Sequence, residues 1–84
     1  MLEKAKKLAS QEFTRLSGRE IKPEDCFVVW FSKTLQNWKA LVSINVVKVA
    51  DYAEVTHNGD KQETYVDVYT KVSNQVFGEG KLTK

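Results

Sequence analysis

This chain is poor in the residues that carry chemistry. It has one cysteine, one histidine and one proline in 84 residues. A single cysteine excludes an internal disulfide framework. Cys26 opens an apolar run and follows Glu24 and Asp25. Acidic neighbours oppose a thiolate, so a small buried hydrophobe is its expected role. With one His and one Cys, no zinc-ligand cluster is expected. His57 is expected to be an exposed, titrating side chain beside a turn. No Gly-rich loop ends in Lys-Ser or Lys-Thr, so no phosphate cradle is written here. Glu24 and Asp25 are adjacent in a linker and make no positioned acid–base pair. The spacing of Ser, His and Asp marks no triad. The expectation is a protein that is not an enzyme and needs no cofactor.

Long apolar runs are missing too. None approaches the ~20 residues that span a bilayer, so no membrane association is expected. The start, Met1-Leu2-Glu3-Lys4-Ala5-Lys6-Lys7, lacks an apolar signal-peptide core, so the cytoplasm is the expected location. Charge of one sign is not dominant: the formal net charge is +2. That balance permits nucleic-acid contact without pointing to it.

What the chain does have is concentrated in Asp25–Ile44, DCFVVWFSKTLQNWKALVSI. The stretch holds both tryptophans and the cysteine. Residues 26–32 and 38–44 are rich in Val, Phe, Trp, Ile and Leu, a strand composition. The break Lys33-Thr34-Leu35-Gln36-Asn37 has hairpin-loop length. Antiparallel pairing is expected, with Ser32 opposite Trp38. Alternation then places Val28, Trp30, Trp38, Ala40 and Val42 on a core face. It places Phe27, Val29, Phe31, Lys39, Leu41 and Ser43 on the other. That second face is too apolar for plain solvation.

Before the hairpin, residues 2–17 carry Leu2, Ala5, Leu8, Ala9, Phe13 and Leu16 at helical spacing. Gly18 is a C-terminal stop, and Arg19–Glu24 is a linker containing Pro23. After the hairpin, Asn45–Asp51 is expected to prolong the second strand or to bridge to the next. Tyr52–His57 alternates as a third strand, with Ala53 and Val55 on one side. Asn58-Gly59-Asp60 is a turn.

Residues 61–77 read two ways. Tyr65, Val68, Tyr69, Val72 and Val76 form a helical stripe, and Asp60 with Glu63 resembles a capping box. As a strand, Val66, Val68, Thr70 and Val72 line one face, and the β-branched content favours this. The length and the placement of Val72 and Val76 tip the expectation to a helix. The expected fold is therefore α+β, in the order α-β-β-β-α. A three-stranded antiparallel sheet would carry two helices on one face. One domain over 1–77 and a disordered tail over 78–84 complete the reading.

That order of elements is similar to the double-stranded-RNA-binding domain. The resemblance implies RNA contact through the first helix, the first hairpin loop and a Lys pair opening the last helix. Here the hairpin loop lacks the Gly-Pro-x-His of that module, and Lys61 stands alone. A nucleic-acid surface of Lys4, Lys7, Arg15, Lys33 and Lys61 is the alternative expectation. The sequence itself, in FVVWFSKTLQNWKALVS (27–43) and YAEVTHNGDKQETYVDVY (52–69), resembles a family of small uncharacterised phage and prophage proteins of Gram-positive bacteria. The Lys-Thr-Leu-Gln-Asn loop and the Asn-Gly-Asp-Lys turn are the most specific pieces. The resemblance implies an accessory protein in the bacterial cytoplasm and brings no site residues with it. The leading expectation is a module that binds a host or phage protein, with self-association as a further option. Phe27, Phe31 and Leu41 would form the apolar centre of its site, with Lys33, Gln36, Asn37 and Lys39 as polar contacts.

Overall fold

The computed structural model describes residues 1–45 and 50–78. One helix, α1 (Leu2–Ser17), precedes four strands. They are β1 (Cys26–Thr34), β2 (Asn37–Ile44), β3 (Tyr52–Asn58) and β4 (Glu63–Tyr69). All pair antiparallel in the order β1-β2-β3-β4. The architecture is α-β-β-β-β and overturns the expected α-β-β-β-α.

The helix spans the residues that its spacing predicts. Gly18 closes it at φ 75°, donating its N–H to the Thr14 carbonyl at 2.9 Å. A left-handed cap is where glycine costs least. The Thr14 hydroxyl then accepts the Ile21 N–H at 2.8 Å and reaches the Ile21 carbonyl at 3.2 Å. This ties the descending loop to the helix. A 3-10 turn at Pro23–Asp25 occupies the expected linker. Its Asp25 carboxylate accepts the Lys22 N–H at 3.0 Å, and Cys26 starts β1.

The second helix is absent because 61–77 follows the other reading of the same residues. Asn58 ends β3, and its side-chain oxygen accepts the N–H of Asp60 at 3.0 Å and of Lys61 at 3.3 Å. That Asx-type turn reverses the chain. Val66 and Val68 then fall opposite Val55 and Ala53. The Asn-Gly signal and the β-branched alternation outweigh the capping-box likeness. Past Tyr69, residues 70–78 have no regular structure and are exposed. The expected tail over 78–84 lies outside the described residues after Gly78. In the expected bridge over 45–51, Asn45 donates to the Asp25 carbonyl at 3.0 Å. Residues 46–49 lie outside the described residues.

Helix and sheet meet through small side chains. Ala5, Ala9 and Phe13 pack over Trp38, Ala40, Val42, Ala53 and Val55. Val28, Phe31, Ile44, Val66 and Val68 flank them, partly buried. Alanines on both layers let the backbones approach, and Phe13 fills the middle with no exposed surface.

The first hairpin departs from its expected register. Its loop is two residues, Leu35-Gln36, with Leu35 at φ 57°. Lys33, and not Ser32, lies opposite Trp38. The register also shifts between Val28 and Trp30. An extra residue in one strand reverses the facing of all that follows. Trp30, expected in the core, therefore points outward and is 48% exposed. Phe31, expected on the outer face, packs against the core opposite Ala40. Simple period-two counting could not anticipate a bulge.

Candidate partner-binding face

The sheet has α1 on one side only. Its other side brings together one outward residue from each position across four strands. From β1 come Phe27 and Trp30, and from β2 come Lys39 and Leu41. Tyr52, Glu54 and Thr56 come from β3; Tyr65, Asp67 and Tyr69 come from β4. The register places Trp30 beside Leu41, Leu41 beside Glu54, and Glu54 beside Asp67. Phe27, Trp30, Tyr65 and Tyr69 are exposed to between 42% and 49%. Large rings half open to water are the defining property of this face.

Polar contacts tie down the tyrosines. Lys39 Nζ lies 3.2 Å from Glu54 Oε2, near the middle of the sheet. The Tyr69 hydroxyl donates to Glu54 at 3.3 Å, and its ring stacks on Tyr52 at 5.2 Å between centroids. The Tyr65 hydroxyl donates to Glu63. These carboxylates hold both phenols above their ordinary range. The hydrogen bond to Glu63 is the main cause at Tyr65, and the charge of Glu54 is the main cause at Tyr69. Among the described residues of the four strands, one cation, Lys39, shares this side with the three carboxylates Glu54, Glu63 and Asp67.

Of the residues singled out from sequence, Phe27, Lys39 and Leu41 lie on this face. Phe31 lies on the helix side, and Lys33 shares that side at the hairpin end. Gln36 and Asn37 are hydrogen-bonded within the chain. The Gln36 side-chain amide donates to Asp60, and the Asn37 side-chain Oδ1 accepts the Gly59 N–H at 2.8 Å. Both tie the first hairpin to the second. Trp30, Tyr52, Tyr65 and Tyr69 were not singled out. The strand reading of 61–77 would have found the last two.

The alternative set is scattered. Lys4, Lys7 and Arg15 are exposed along α1, whereas Lys33 and Lys61 sit at two different turns. Arg15 is taken up by Glu12 at 2.5 Å, which lowers the Glu12 carboxyl through the hydrogen bond. Lys61 precedes a strand and opens no helix.

Cys26 is buried, and desolvation pushes its thiol above the ordinary value, followed by the charge of Asp25. His57 is half-buried, not exposed: its ring stacks on Trp38 at 5.3 Å and its Nδ1 lies 2.8 Å from the Thr64 hydroxyl. Among the described residues, no group of three His, Cys, Asp or Glu side chains is placed to hold a metal. No helix among them is long and apolar enough to cross a membrane.

A family model described as "Family of unknown function (DUF6275)" matches residues 2–79, and the chain belongs to that family. No curated protein matches the chain, and no solved structure matches it.

Proposed function

We propose that this family member is a non-enzymatic binding module whose open sheet face takes a protein partner. One observation carries the reading. Phe27, Trp30, Tyr65 and Tyr69 stand half exposed on one sheet face, with Tyr52 stacked on Tyr69, around the Lys39–Glu54 ion pair. Trp and Tyr are the residues that most often anchor protein interfaces, because they offer large area at low entropic cost. The three carboxylates among the rings favour a partner surface that combines an apolar anchor with Lys or Arg. The same carboxylates oppose a nucleic-acid backbone, and the scattered basic residues offer no continuous track for one. The likeness of 27–43 and 52–69 to small phage and prophage proteins supports an accessory role in the cytoplasm of a bacterial host.

The test compares wild type with Trp30→Asp as bait in a nuclease-treated lysate of a Gram-positive host, read by mass spectrometry. A protein retained by wild type and lost with Trp30→Asp, at unchanged circular dichroism, is the expected result. Retention by both baits places the contact elsewhere. Recovery seen only in a parallel lysate without nuclease returns the basic residues to consideration.

A further inference from the structure

β4 ends at Tyr69, level with the start of β3, but the chain continues past that point. Tyr52 is the first residue of β3 and lies opposite Tyr69. Asp51 still reaches over: its N–H donates to the Tyr69 carbonyl at 2.9 Å, and its carboxylate accepts the Lys71 N–H. Beyond that, Thr70-Lys71-Val72-Ser73-Asn74-Gln75-Val76-Phe77 continues with no regular structure. Val72, Val76 and Phe77 are exposed to 97%, 85% and 67%. No glycine or proline interrupts the segment to turn it back over its own sheet. β4 is also an edge strand, with its outer side unpaired in the sheet.

We propose that residues 63–77 form the interface of a two-fold dimer, in which each copy's overhang pairs antiparallel with the other's β4. The occupant of the free edge is a second copy because the segment complements itself. Even-numbered residues of β4 face the helix side, as Val66 and Val68 show. Odd-numbered ones face the open side. Continued alternation puts Val72 and Val76 on the helix side, where Val66 and Val68 are still partly uncovered. It puts Phe77 with Tyr65 and Tyr69. With Thr70 on the two-fold axis, Val68 meets the partner's Val72 and Glu63 meets the partner's Phe77. No residue between 63 and 77 is then left unpaired.

Charge agrees with this register. β4 carries Glu63 and Asp67 and no cation, whereas the overhang carries Lys71 as its one ionisable side chain. Lys71 falls diagonally beside the partner's Asp67, within reach for a long side chain. The result is one continuous sheet of eight strands with no free β4 edge, which removes a template for uncontrolled pairing. This dimer uses the sheet edge, so it stands or falls separately from the partner reading of the open face.

The full chain is measured by light scattering across micromolar to millimolar concentration, beside Val72→Asp/Val76→Asp and Thr70→Cys. Wild type should show twice the 9.6 kDa of one chain. The double Asp variant should show half the wild-type mass at unchanged circular dichroism, since both side chains lie in solvent in the single chain. Thr70→Cys should form an intermolecular disulfide, because facing Cα atoms of an antiparallel pair lie about 4.5–5.5 Å apart. A monomer at all concentrations overturns the proposal. So does a dimer that survives Val72→Asp/Val76→Asp, or one that fails to cross-link through Thr70→Cys. Loss of partner capture in Trp30→Asp with the dimer intact would show the two surfaces to be independent.

Discussion

The two faces of the sheet draw on the same strands and solve opposite problems. Under α1 the side chains are Ala40, Val42, Ala53 and Val55, all with no exposed surface. On the open side they are Trp30, Tyr52, Tyr65 and Tyr69. Small aliphatic side chains let a helix settle close to the sheet. Rings with a polar tip can stay wet at one end while their bodies shelter each other. Cover determines which kind of side chain each face carries. The covered face therefore holds stability, and the open face holds surface for contact.

The largest expected effect breaks the covered side. Phe13→Ala removes the largest fully buried side chain and leaves a cavity between helix and sheet. The cost is about 3–5 kcal/mol. A domain of this size has a total of roughly 5–15 kcal/mol at most. Urea melts followed by circular dichroism should show a chain near its unfolding threshold in buffer.

The next comparison sharpens the boundary between the faces. Phe31→Asp puts a charge against the core and should cost at least about 2 kcal/mol. Trp30→Asp, one residue away, should stay within about 1 kcal/mol. Period-two counting without the bulge demands the reverse order. Paired urea melts of the two variants decide between them.

Thr14→Val tests what holds the cover in place. It leaves the Ile21 N–H without its 2.8 Å acceptor. A loss of about 1–3 kcal/mol is expected. A matching gain in hydrogen exchange at Ile21 is expected by NMR.

The smallest effect separates the faces by pH. On the covered side, burial raises the Cys26 thiol; on the open side, neighbouring carboxylates raise the tyrosines. The folded chain keeps the Cys26 proton where the unfolded chain, with its thiol near about 8.5, has lost it. The contribution of Cys26 is thus complete below that value and falls as pH rises above it. Wild type should lose more stability than Cys26→Ala between neutral and alkaline pH in urea melts.

Local signals read correctly where one residue type settles the matter. The Leu2–Ser17 stripe, the stop at Gly18 and the alternation of Ala53 and Val55 needed no tertiary information. The fourth strand was also written in the chain, in Val66 and Val68. Val72 and Val76 masked it by adding a helical spacing to residues that in fact overhang the sheet. The bulge at Val29 left no local signal at all. A run of Val, Val, Trp and Phe has no polar residue to mark which side is wet. The candidate site suffered accordingly: Phe27, Lys39 and Leu41 were placed by alternation, and Trp30 and Phe31 were exchanged. Gln36 and Asn37 looked free because their partners, Asp60 and Gly59, are more than twenty residues away.

Those two contacts have a mechanical meaning. Each hairpin closes on itself through a short turn, and either could twist about the β2–β3 seam. Gly59 sits so close to the first turn that an added Cβ would lie 2.3 Å from the Gln36 carbonyl oxygen. The tips of the two hairpins are locked like the free ends of a clasp. The clasp holds one end of the sheet; at the other end β4 finishes at Tyr69 and the chain continues as residues 70–78.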